Sequence, residues 1–563
     1  MTTACGRTGT TACAIAALAA CILFSCRANA EPAASSAAAF ASAHGSLDPL
    51  SLDYLESVDA VVGDIVIRNG DVFDTSDPAE SGAFYRIINA LHMETGADVI
   101  RRQLLIESGA QLNASEIAEA ERMLRANAFL RSATIRPIAY ANGEVDLEVI
   151  TEDTWSLSPS LSFSRKGGTN TGGFELEEKN LLGTGSEIKL GYKSTIERDE
   201  TFFGYHDVQL GSSRLELGLE LADNSDGSAQ KLLLQQPFYG LDTHSAGGIR
   251  IDLFEQVDPW YQLGKVIDET GHVGRRAEVF YGWSDGLVNG RVQRLSVGLG
   301  YDVHKFSGVD GKPPRPGTPA DRRDIYPFVA WEHLEDRYET TRNADNIHRV
   351  EDRYIGMRLA AKLGYAATAF GSGDDAWLYA FEAERGFKPT ESDTLMLFGR
   401  AEGRSVTTQP DSFLAETGTR WYHRQTPRRL LYSEVRFRAG EMLDPDEQVV
   451  LGGDTGLRGY PARYQAGDYE ALLTLEQRFY TDYYPFRLFR VGAAAFFDAG
   501  RVWNTIDGPS SDLGLLRDIG LGLRIGSPRS STGRMVHIDL AWPLDGPEDI
   551  KGAQLIIETS KSF

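Results

Sequence analysis

The chain has 563 residues and a formal net charge of −23. This length exceeds that of an ordinary single domain and allows either several domains or one large barrel. The acidic balance argues against a nucleic-acid partner, whose binding surface is typically basic. Outside the extreme N-terminus, the sequence has no run of about 20 apolar residues, the length that a membrane-spanning helix needs.

The first 57 residues are predicted to be a targeting segment followed by a linker. An apolar stretch that ends in small residues at Ala30 is typical of a cleaved secretory signal over residues 1–30. All four cysteines precede that cleavage point. The alternative is lipoprotein processing, because Cys26 and the three residues before it resemble a lipobox. Residues 31–57 are rich in Ala and Ser, which predicts a flexible linker.

Residues 58–153 have a mixed α/β pattern. The predicted elements are a strand at 63–73, helices at 83–93 and 113–127, and a hairpin whose turn is Asn142-Gly143. The second helix begins with Asn113 and Glu116 at the spacing of a capping box. This element order, together with the run 100–135, resembles a single POTRA domain, with a generic small α+β domain as the alternative.

From residue 154 to residue 563, apolar and polar residues alternate with a period of two. One clear case is Ile519, Leu521 and Leu523, which point away from Gly520, Gly522 and Arg524. Such alternation predicts a transmembrane antiparallel β-barrel, in which apolar side chains face lipid and polar side chains line the lumen. Strands of about 8–11 residues are expected, the length that a tilted transmembrane strand needs.

A glycine-rich segment and an acidic strand follow in the last quarter of the chain. Residues 451–461 read LGGDTGLRGYP, and residues 496–500 read FFDAG. The glycines of the first segment permit backbone angles that can present Arg458 at a loop tip. Asp498 offers a carboxylate on the strand face opposite Phe497. Taken singly, each pattern could also be a glycine-rich turn or an ordinary strand acid.

Together the two segments resemble the signature of the BamA/TamA superfamily of outer-membrane β-barrels. The resemblance implies a mostly β protein with a barrel of about 16 strands, in which Arg458 folds into the lumen and pairs with Asp498. The residues carried over are Leu457, Arg458, Gly459 and Tyr460 in the loop, and Phe496, Asp498 and Gly500 on the strand. The C-terminal Phe563 resembles the aromatic assembly signal of such barrels. Five strands are predicted after the loop. The alternation allows as many as fourteen before it instead of the eleven that the resemblance implies, and the excess is interpreted as loop hairpins or mis-split strands.

The resemblance implies a factor that inserts or secretes client polypeptides at the bacterial outer membrane, with the POTRA domain in the periplasm. The expected partners are outer-membrane lipid, an unfolded or extended client, and other assembly components. The alternative is a passive or structural pore without a protein client. No enzyme activity, cofactor or metal is expected. A G-x-S-x-G match at 282–286 lacks the following helix that a nucleophile elbow requires and predicts a hairpin loop, and the ten histidines form no i, i+4 pair.

Overall fold

The computed structural model describes residues 50–345, 347, 350–406, 412–504, 512–530, 535–547, 550 and 552–560. The predicted signal segment, Cys26 and Phe563 lie outside the described residues. The chain divides into two compact units. The smaller unit consists of the described residues up to Val66, Ile106–Glu116 and Arg136–Glu148. The larger unit consists of Ile67–Leu105, Ile117–Ile135 and the described residues from Val149 onward. Among the described residues, no helix has the length and apolarity needed to span a membrane.

The part of the chain before the barrel contains four helices and three strands. They are α1 Leu52–Ser57, β1 Val61–Gly70, α2 Ala83–Leu91, α3 Ala97–Gln103, α4 Ala114–Ala126, β2 Leu130–Ala141 and β3 Glu144–Asp153. The strands form one sheet in the order β1-β3-β2. The helix α3 is additional to the two helices predicted for this region.

Two local predictions for this region agree with the structure. Asn113 Oδ1 accepts hydrogen bonds from the backbone N–H of Ser115 at 2.9 Å and of Glu116 at 3.3 Å, which caps α4. The turn between β2 and β3 has Asn142 and Gly143 at positive φ, 55° and 86°, as a two-residue hairpin requires.

The end of the predicted linker differs from the expectation. Residues 52–57 form α1 because the Ser51 hydroxyl accepts a hydrogen bond from the backbone N–H of Tyr54 at 3.3 Å and caps the helix. Leu55 is fully buried, so this segment also contributes an apolar side chain to the core of the smaller unit.

The chain from residue 157 onward builds a closed barrel. The described chain contributes twenty strands to it, each paired antiparallel with its neighbours. These are β4 Leu157–Lys166, β5 Thr169–Leu181, β6 Ser186–Ser194, β7 Asp199–Asp207, β8 Glu216–Asn224, β9 Gly227–Gln236, β10 Ser245–Gln262, β11 Lys265–Val288, β12 Arg291–Gly308, β13 Arg322–Glu335, β16 Met357–Ala366, β17 Ala376–Thr390, β18 Asp393–Val406, β19 Ser412–Thr426, β20 Arg429–Glu441, β23 Tyr469–Tyr480, β24 Arg490–Trp503, β25 Leu516–Gly526, β26 Met535–Pro543 and β27 Gln554–Ser560.

Four short strands lie in two of the connections between barrel strands. The pair β14 Tyr338–Arg342 and β15 Val350–Tyr354 connects β13 to β16, and the pair β21 Val449–Leu451 and β22 Gln465–Gly467 belongs to the connection from β20 to β23.

The expectation of about 16 barrel strands is wrong. Five strands follow the glycine-rich loop, as predicted, but fifteen precede it. The number 16 came from the resemblance, whereas the alternation in the residues already allowed fourteen strands before the loop. The alternating segments therefore form separate strands of the barrel wall.

The predicted strand lengths and the predicted loop at 282–286 also need correction. The strand β11 has 24 residues, well above the expected 8–11, and it includes residues 282–286. The chain turns only at Asn289-Gly290, where both residues have positive φ. Ser284 therefore lies on a strand that leads into another strand, and not at a strand-to-helix turn.

The two faces of the barrel wall differ as the alternation predicts. On β25 the outward side chains of Ile519, Leu521 and Leu523 are 44%, 62% and 48% exposed. On the opposite face of the same strand, Asp518 and Arg524 are 0% and 2% exposed. The outer wall is thus apolar, and the interior of the barrel holds charged groups.

The closure between the first and last barrel strands differs from the other pairings. Among the described residues, β27 and β4 share a single register pair, Ile557 with Arg165. Ten pairs join β4 to β5, and seven join β26 to β27. A salt bridge between Lys166 Nζ and Glu558 Oε2 at 2.8 Å adds to this closure. We call this β4–β27 junction the seam.

Candidate functional site

The connection between β20 and β23, residues 442–468, folds into the barrel. It contains a short 3-10 turn at Pro445–Glu447 and the small β21–β22 ladder, in which Leu451 pairs with Gln465. The glycine-rich segment lies between these two short strands. We refer to residues 442–468 as the lumen loop.

Glycine is required at the two positions that flank Arg458 in the lumen loop, Gly456 and Gly459. Gly456 has a φ of 127°, which side-chain-bearing residues rarely adopt. At Gly459 a Cβ atom would lie 2.6 Å from the Cβ of Asp518, so only glycine allows this close approach to β25. The two glycines bring the loop tip against the barrel wall with Arg458 between them.

Arg458 makes a dense set of charged contacts with the inner wall. Its Nε and Nη2 atoms donate to the two carboxylate oxygens of Asp498, on β24, at 2.7 and 2.9 Å. Its Nη1 donates to Glu476 on β23 at 3.0 Å and to Asp539 on β26 at 3.2 Å. The guanidinium carbon also lies 3.4 Å from the ring centroid of Phe496. One side chain is therefore bound to three strands in a bidentate and bridging geometry.

Burial makes these contacts energetically important. Arg458 is only 9% exposed, and Asp498 and Glu476 are 0% and 2% exposed. Burial alone would lower the pKa of Arg458, but the carboxylates of Asp498, Glu476 and Asp539 raise it well above its usual value. The guanidinium is therefore charged at every pH that the folded protein tolerates.

Further arginines balance the carboxylates that surround Arg458. Arg478 Nε donates to Glu476 at 3.0 Å, and Arg524 donates to Glu476 at 3.1 Å and also to Asp539. Buried carboxylates are stable when each has charged hydrogen-bond partners. The inner wall is thus arranged to receive one more cation, which Arg458 supplies.

The neighbours of Arg458 fix the loop on either side of it. Gly459 N–H donates to Asp518 Oδ2 at 3.0 Å. The Tyr460 hydroxyl donates to the backbone carbonyl of Arg517 at 2.7 Å. Leu457 is fully buried in an apolar cluster with Leu451 and other side chains. We call the contacts of Arg458, Gly459 and Tyr460 with β23–β26 the first anchor.

A second set of contacts holds the other part of the lumen loop to β10–β13. Arg322 on β13 forms a bidentate salt bridge with Asp444, with Nη1 2.8 Å from Oδ1. Gln448 receives a hydrogen bond from the backbone N–H of Tyr261 at 2.9 Å and donates to the backbone carbonyl of Tyr261 at 2.8 Å. We call the contacts of Asp444 and Gln448 with β10–β13 the second anchor.

Two hairpin turns of the wall also contact the lumen loop. Ala462 N–H donates to the carbonyl of Gly167 at 3.1 Å, and Gly264 N–H donates to the carbonyl of Arg463 at 3.2 Å. The loop therefore crosses the interior near the barrel end where the chain turns at these glycines.

The structure brings together most of the residues that the sequence singled out. Arg458 contacts Asp498 and Phe496, and Leu457, Gly459 and Tyr460 pack beside it. A Cβ atom at Gly500 would lie 2.6 Å from the Leu451 side chain, so this glycine makes room for the loop.

The sequence patterns do not reveal two partners of Arg458, namely Glu476 and Asp539. Both lie on strands whose alternation is recognisable, since Glu476 shares a face with Arg478 and Asp539 lies between Ile538 and Leu540. The alternation predicts that such acids face the lumen. It does not predict which lumenal acids meet the loop, because that depends on the register of four strands.

Comparisons with known proteins give only remote matches. No family model and no curated protein sequence matches the chain. Among solved structures, BamA from Haemophilus ducreyi lacking POTRA domains 1–3 is 14% identical, with 88% of this chain and 83% of that chain covered and a TM-score of 0.38. CdiB from Escherichia coli is 13% identical, with 92% and 90% covered and a TM-score of 0.42. OccK2 (OpdF) from Pseudomonas aeruginosa is 11% identical, with 70% and 92% covered and a TM-score of 0.32.

At these TM-scores the three matches establish neither a family nor a function for this chain. The barrel is established by its own strand pairing, and the site by its own contacts.

Proposed function

We propose that the protein is an outer-membrane barrel of the BamA/TamA superfamily that inserts or secretes client polypeptides. In this proposal the α/β region before the barrel is a periplasmic POTRA domain, the signal is cleaved after Ala30, and the partners are outer-membrane lipid, an extended client and other assembly components. The observation that carries the proposal is the first anchor, in which Arg458 bridges Asp498, Glu476 and Asp539.

The lumen loop supports this proposal because a buried ionic cluster holds it inside the barrel, although the barrel wall closes without it. A buried guanidinium with three carboxylate partners costs desolvation energy that favourable geometry must offset. A closed barrel is already stabilised by its strand ladder. The arrangement instead holds a polar loop across the interior, bound to β23–β26 at one anchor and to β10–β13 at the other.

The seam supports the proposal independently of the loop. With one register pair among the described residues, it presents backbone groups that another strand can pair with. Pro159 in β4 removes a backbone donor near this junction. An incoming client strand can therefore add to this edge by main-chain hydrogen bonds.

The proposal is tested by reconstituting the purified protein in liposomes and adding a urea-unfolded β-barrel client. We expect the client to insert, as measured by its resistance to protease and its heat-dependent gel mobility. A variant with Arg165→Cys and Ile557→Cys joins the seam by a disulfide and should block insertion until a reductant is added. The matched control is Leu521→Cys with Leu540→Cys, a register pair away from the seam, which should insert clients whether oxidised or reduced. Insertion that is unaffected by closing the seam would contradict the proposed route.

A passive pore is the second candidate, and one cavity favours it. A cavity of about 400 Å³ is bordered by charged side chains of β6–β10, among them Lys189, Glu220 and Arg250. Charged side chains on the inner wall of a barrel are typical of a water-filled pore. The same liposomes distinguish the two functions, since a pore admits small sugars without inserting clients, whereas an insertion factor with a docked loop does the reverse.

A further inference from the structure

Two histidines meet on the inner wall of the barrel beside the second anchor. His272 lies on β11 and His304 on β12, where the register pairs His272 with Phe306 and Gly274 with His304. The two histidines are therefore diagonal neighbours on the same face of the sheet. Their side chains are completely buried, and His272 Nε2 lies 2.8 Å from His304 Nδ1.

A carboxylate faces the outer ring nitrogen of each histidine. Asp258 Oδ2, on β10, lies 2.7 Å from His272 Nδ1. Asp302 Oδ1 lies 2.9 Å from His304 Nε2. A carboxylate beside one ring nitrogen favours the N–H there and leaves the lone pair on the other nitrogen. In this tautomer His272 Nε2 and His304 Nδ1, the two inner nitrogens that face each other, are both acceptors.

Two acceptor nitrogens 2.8 Å apart repel each other unless a hydrogen atom or a metal ion lies between them. A proton on one inner nitrogen is one solution. Arg276 Nη2, which lies 3.2 Å from His304 Nε2, favours it by donating to that nitrogen. A metal ion is the other solution, since neutral imidazole is a common ligand for divalent transition metals.

The lumen loop supplies a third donor to the same point. Asp444 Oδ2 lies 3.5 Å from His304 Nδ1, and donor atoms of His272, His304 and Asp444 all lie within 4.8 Å of one another. Two imidazoles and one carboxylate, each oriented by a further partner, form a donor set that suits Zn²⁺.

We propose that His272, His304 and Asp444 form a binding site for a divalent transition-metal ion of the Zn²⁺ class, which joins the lumen loop to the wall of the barrel. The site lies between two strands and the loop, so an ion there stabilises the second anchor. Imidazole donors make Ca²⁺ and Mg²⁺ poor occupants, because those ions prefer oxygen ligands.

The charges around the site tolerate an added cation. The four nearby carboxylates are Asp258, Asp302, Asp444 and Asp446, and the three nearby guanidiniums are Arg198, Arg276 and Arg322. With neutral histidines this set carries a net negative charge. Arg322 holds Asp444 in position and can remain bound to it while one oxygen also contacts the ion.

Metal binding requires a small movement of the two rings. Two nitrogens bound to one tetrahedral Zn²⁺ at about 2.0–2.1 Å are about 3.3 Å apart. The inner nitrogens are 2.8 Å apart, so they must separate by about 0.5 Å. Rotation about the side-chain bonds of His272 and His304 accommodates a change of this size.

The test uses the full chain folded in detergent, with its four N-terminal cysteines alkylated so that they do not bind metal. Titration with zinc sulfate in a calorimeter should show one equivalent bound at micromolar Kd or tighter. His272→Ala and His304→Ala should each weaken binding by at least about 100-fold, and Asp258→Asn by about 10–100-fold through loss of ring orientation. The control His423→Ala removes another histidine that contacts an aspartate, Asp393 at 2.9 Å, and should leave Zn²⁺ binding unchanged.

Two further measurements keep the proposal falsifiable if a histidine variant fails to fold. Wild-type protein loaded with Co²⁺ should show the intense visible absorption of a four-coordinate ion, and Zn²⁺ should displace it. Calcium chloride should produce no binding heat. Any one of four results would overturn the metal site and leave a proton between the rings. They are the absence of Zn²⁺ binding, equal Zn²⁺ binding by the wild type and the folded histidine variants, a weak six-coordinate Co²⁺ spectrum, and Ca²⁺ binding of equal affinity.

Discussion

The two anchors of the lumen loop hold the same segment by different chemistry. The first anchor places one guanidinium among the carboxylates of Asp498, Glu476 and Asp539. The second anchor joins Asp444 to Arg322 and lies against the His272–His304 pair. Arginine and carboxylate charges persist over a wide pH range, whereas the charge between two imidazoles depends on which cation is present.

This difference indicates that the anchors respond to different conditions. The first anchor depends on geometry alone, because a bidentate pair is lost when either partner moves. The second depends on geometry and, if the proposed metal site is filled, on the ion at the histidine pair. The loop is therefore expected to stay attached to β23–β26 when its attachment to β10–β13 is loosened.

The largest expected effect comes from Arg458→Ala, which should break the first anchor alone. Removing one partner of a buried ionic cluster leaves uncompensated carboxylates and costs on the order of 3–5 kcal/mol. Hydrogen exchange at the amides of residues 452–460 should therefore become faster by at least about 100-fold. The control Arg400→Ala removes an exposed arginine from a salt bridge with Glu416 and should leave exchange in the loop unchanged. If the amides of residues 452–460 are equally protected from hydrogen exchange in both variants, Arg458 does not hold the loop.

A smaller effect is expected from Arg322→Ala, which should loosen the second anchor alone. Asp444 then keeps only its contact with the histidine pair, and loss of a charged hydrogen-bonded partner costs roughly 1.5–3 kcal/mol. Hydrogen exchange should increase at residues 443–448, with little change at 452–460. Arg323→Ala, next in sequence and exposed on the opposite face, serves as the control. If both parts of the loop lose protection together, the anchors are not independent.

The smallest effect is expected from Phe496→Leu at the first anchor. The substitution removes the ring that lies 3.4 Å from the Arg458 guanidinium carbon. Such a cation–π contact contributes about 0.5–2 kcal/mol. The loop should remain docked, with protection at 452–460 reduced by about tenfold. Phe497→Leu, on the opposite face of β24, should have no effect on the loop. An equal effect of both variants would mean that the lost protection comes from a general weakening of β24 and not from the contact with Arg458.

The first anchor could be predicted in part from the sequence, because its two ends carry local patterns. The glycines around Arg458 and the alternation around Asp498 are both visible within a few residues. Their pairing is expected only from a resemblance. The alternation along each strand places Glu476 and Asp539 on the lumenal face. Their contact with Arg458 depends on how the strands are paired in register, which cannot be determined from a short segment of sequence.

The second anchor and the histidine pair beside it could not be predicted, because their members are distant in sequence. His272, His304 and Asp444 are brought together by the register of β11 with β12 and by the path of the lumen loop. Histidine ligands at helical spacing are visible in a sequence, whereas ligands on a sheet lie on neighbouring strands and share no fixed spacing. The predicted strand number was wrong for a different reason. The value of 16 came from the resemblance, whereas the alternation allowed as many as nineteen strands, fourteen before the loop and five after it, and the part of the chain that the structure describes has twenty.

The tip of the lumen loop lies against β25 inside the barrel, and a disulfide between the loop and this strand tests the placement. Gly459→Cys with Asp518→Cys places two sulfurs where the Cβ positions are 2.6 Å apart, which allows a bond after a shift of about 1 Å. In a chain whose N-terminal cysteines are replaced by serine, mild oxidation of whole cells should cross-link this pair and change its gel mobility. The pair Leu521→Cys with Leu540→Cys, on adjacent strands, reports that oxidation has worked. A cross-link in that strand pair but none between residues 459 and 518, together with unprotected hydrogen exchange at residues 452–460 of the wild type, would contradict this placement of the loop.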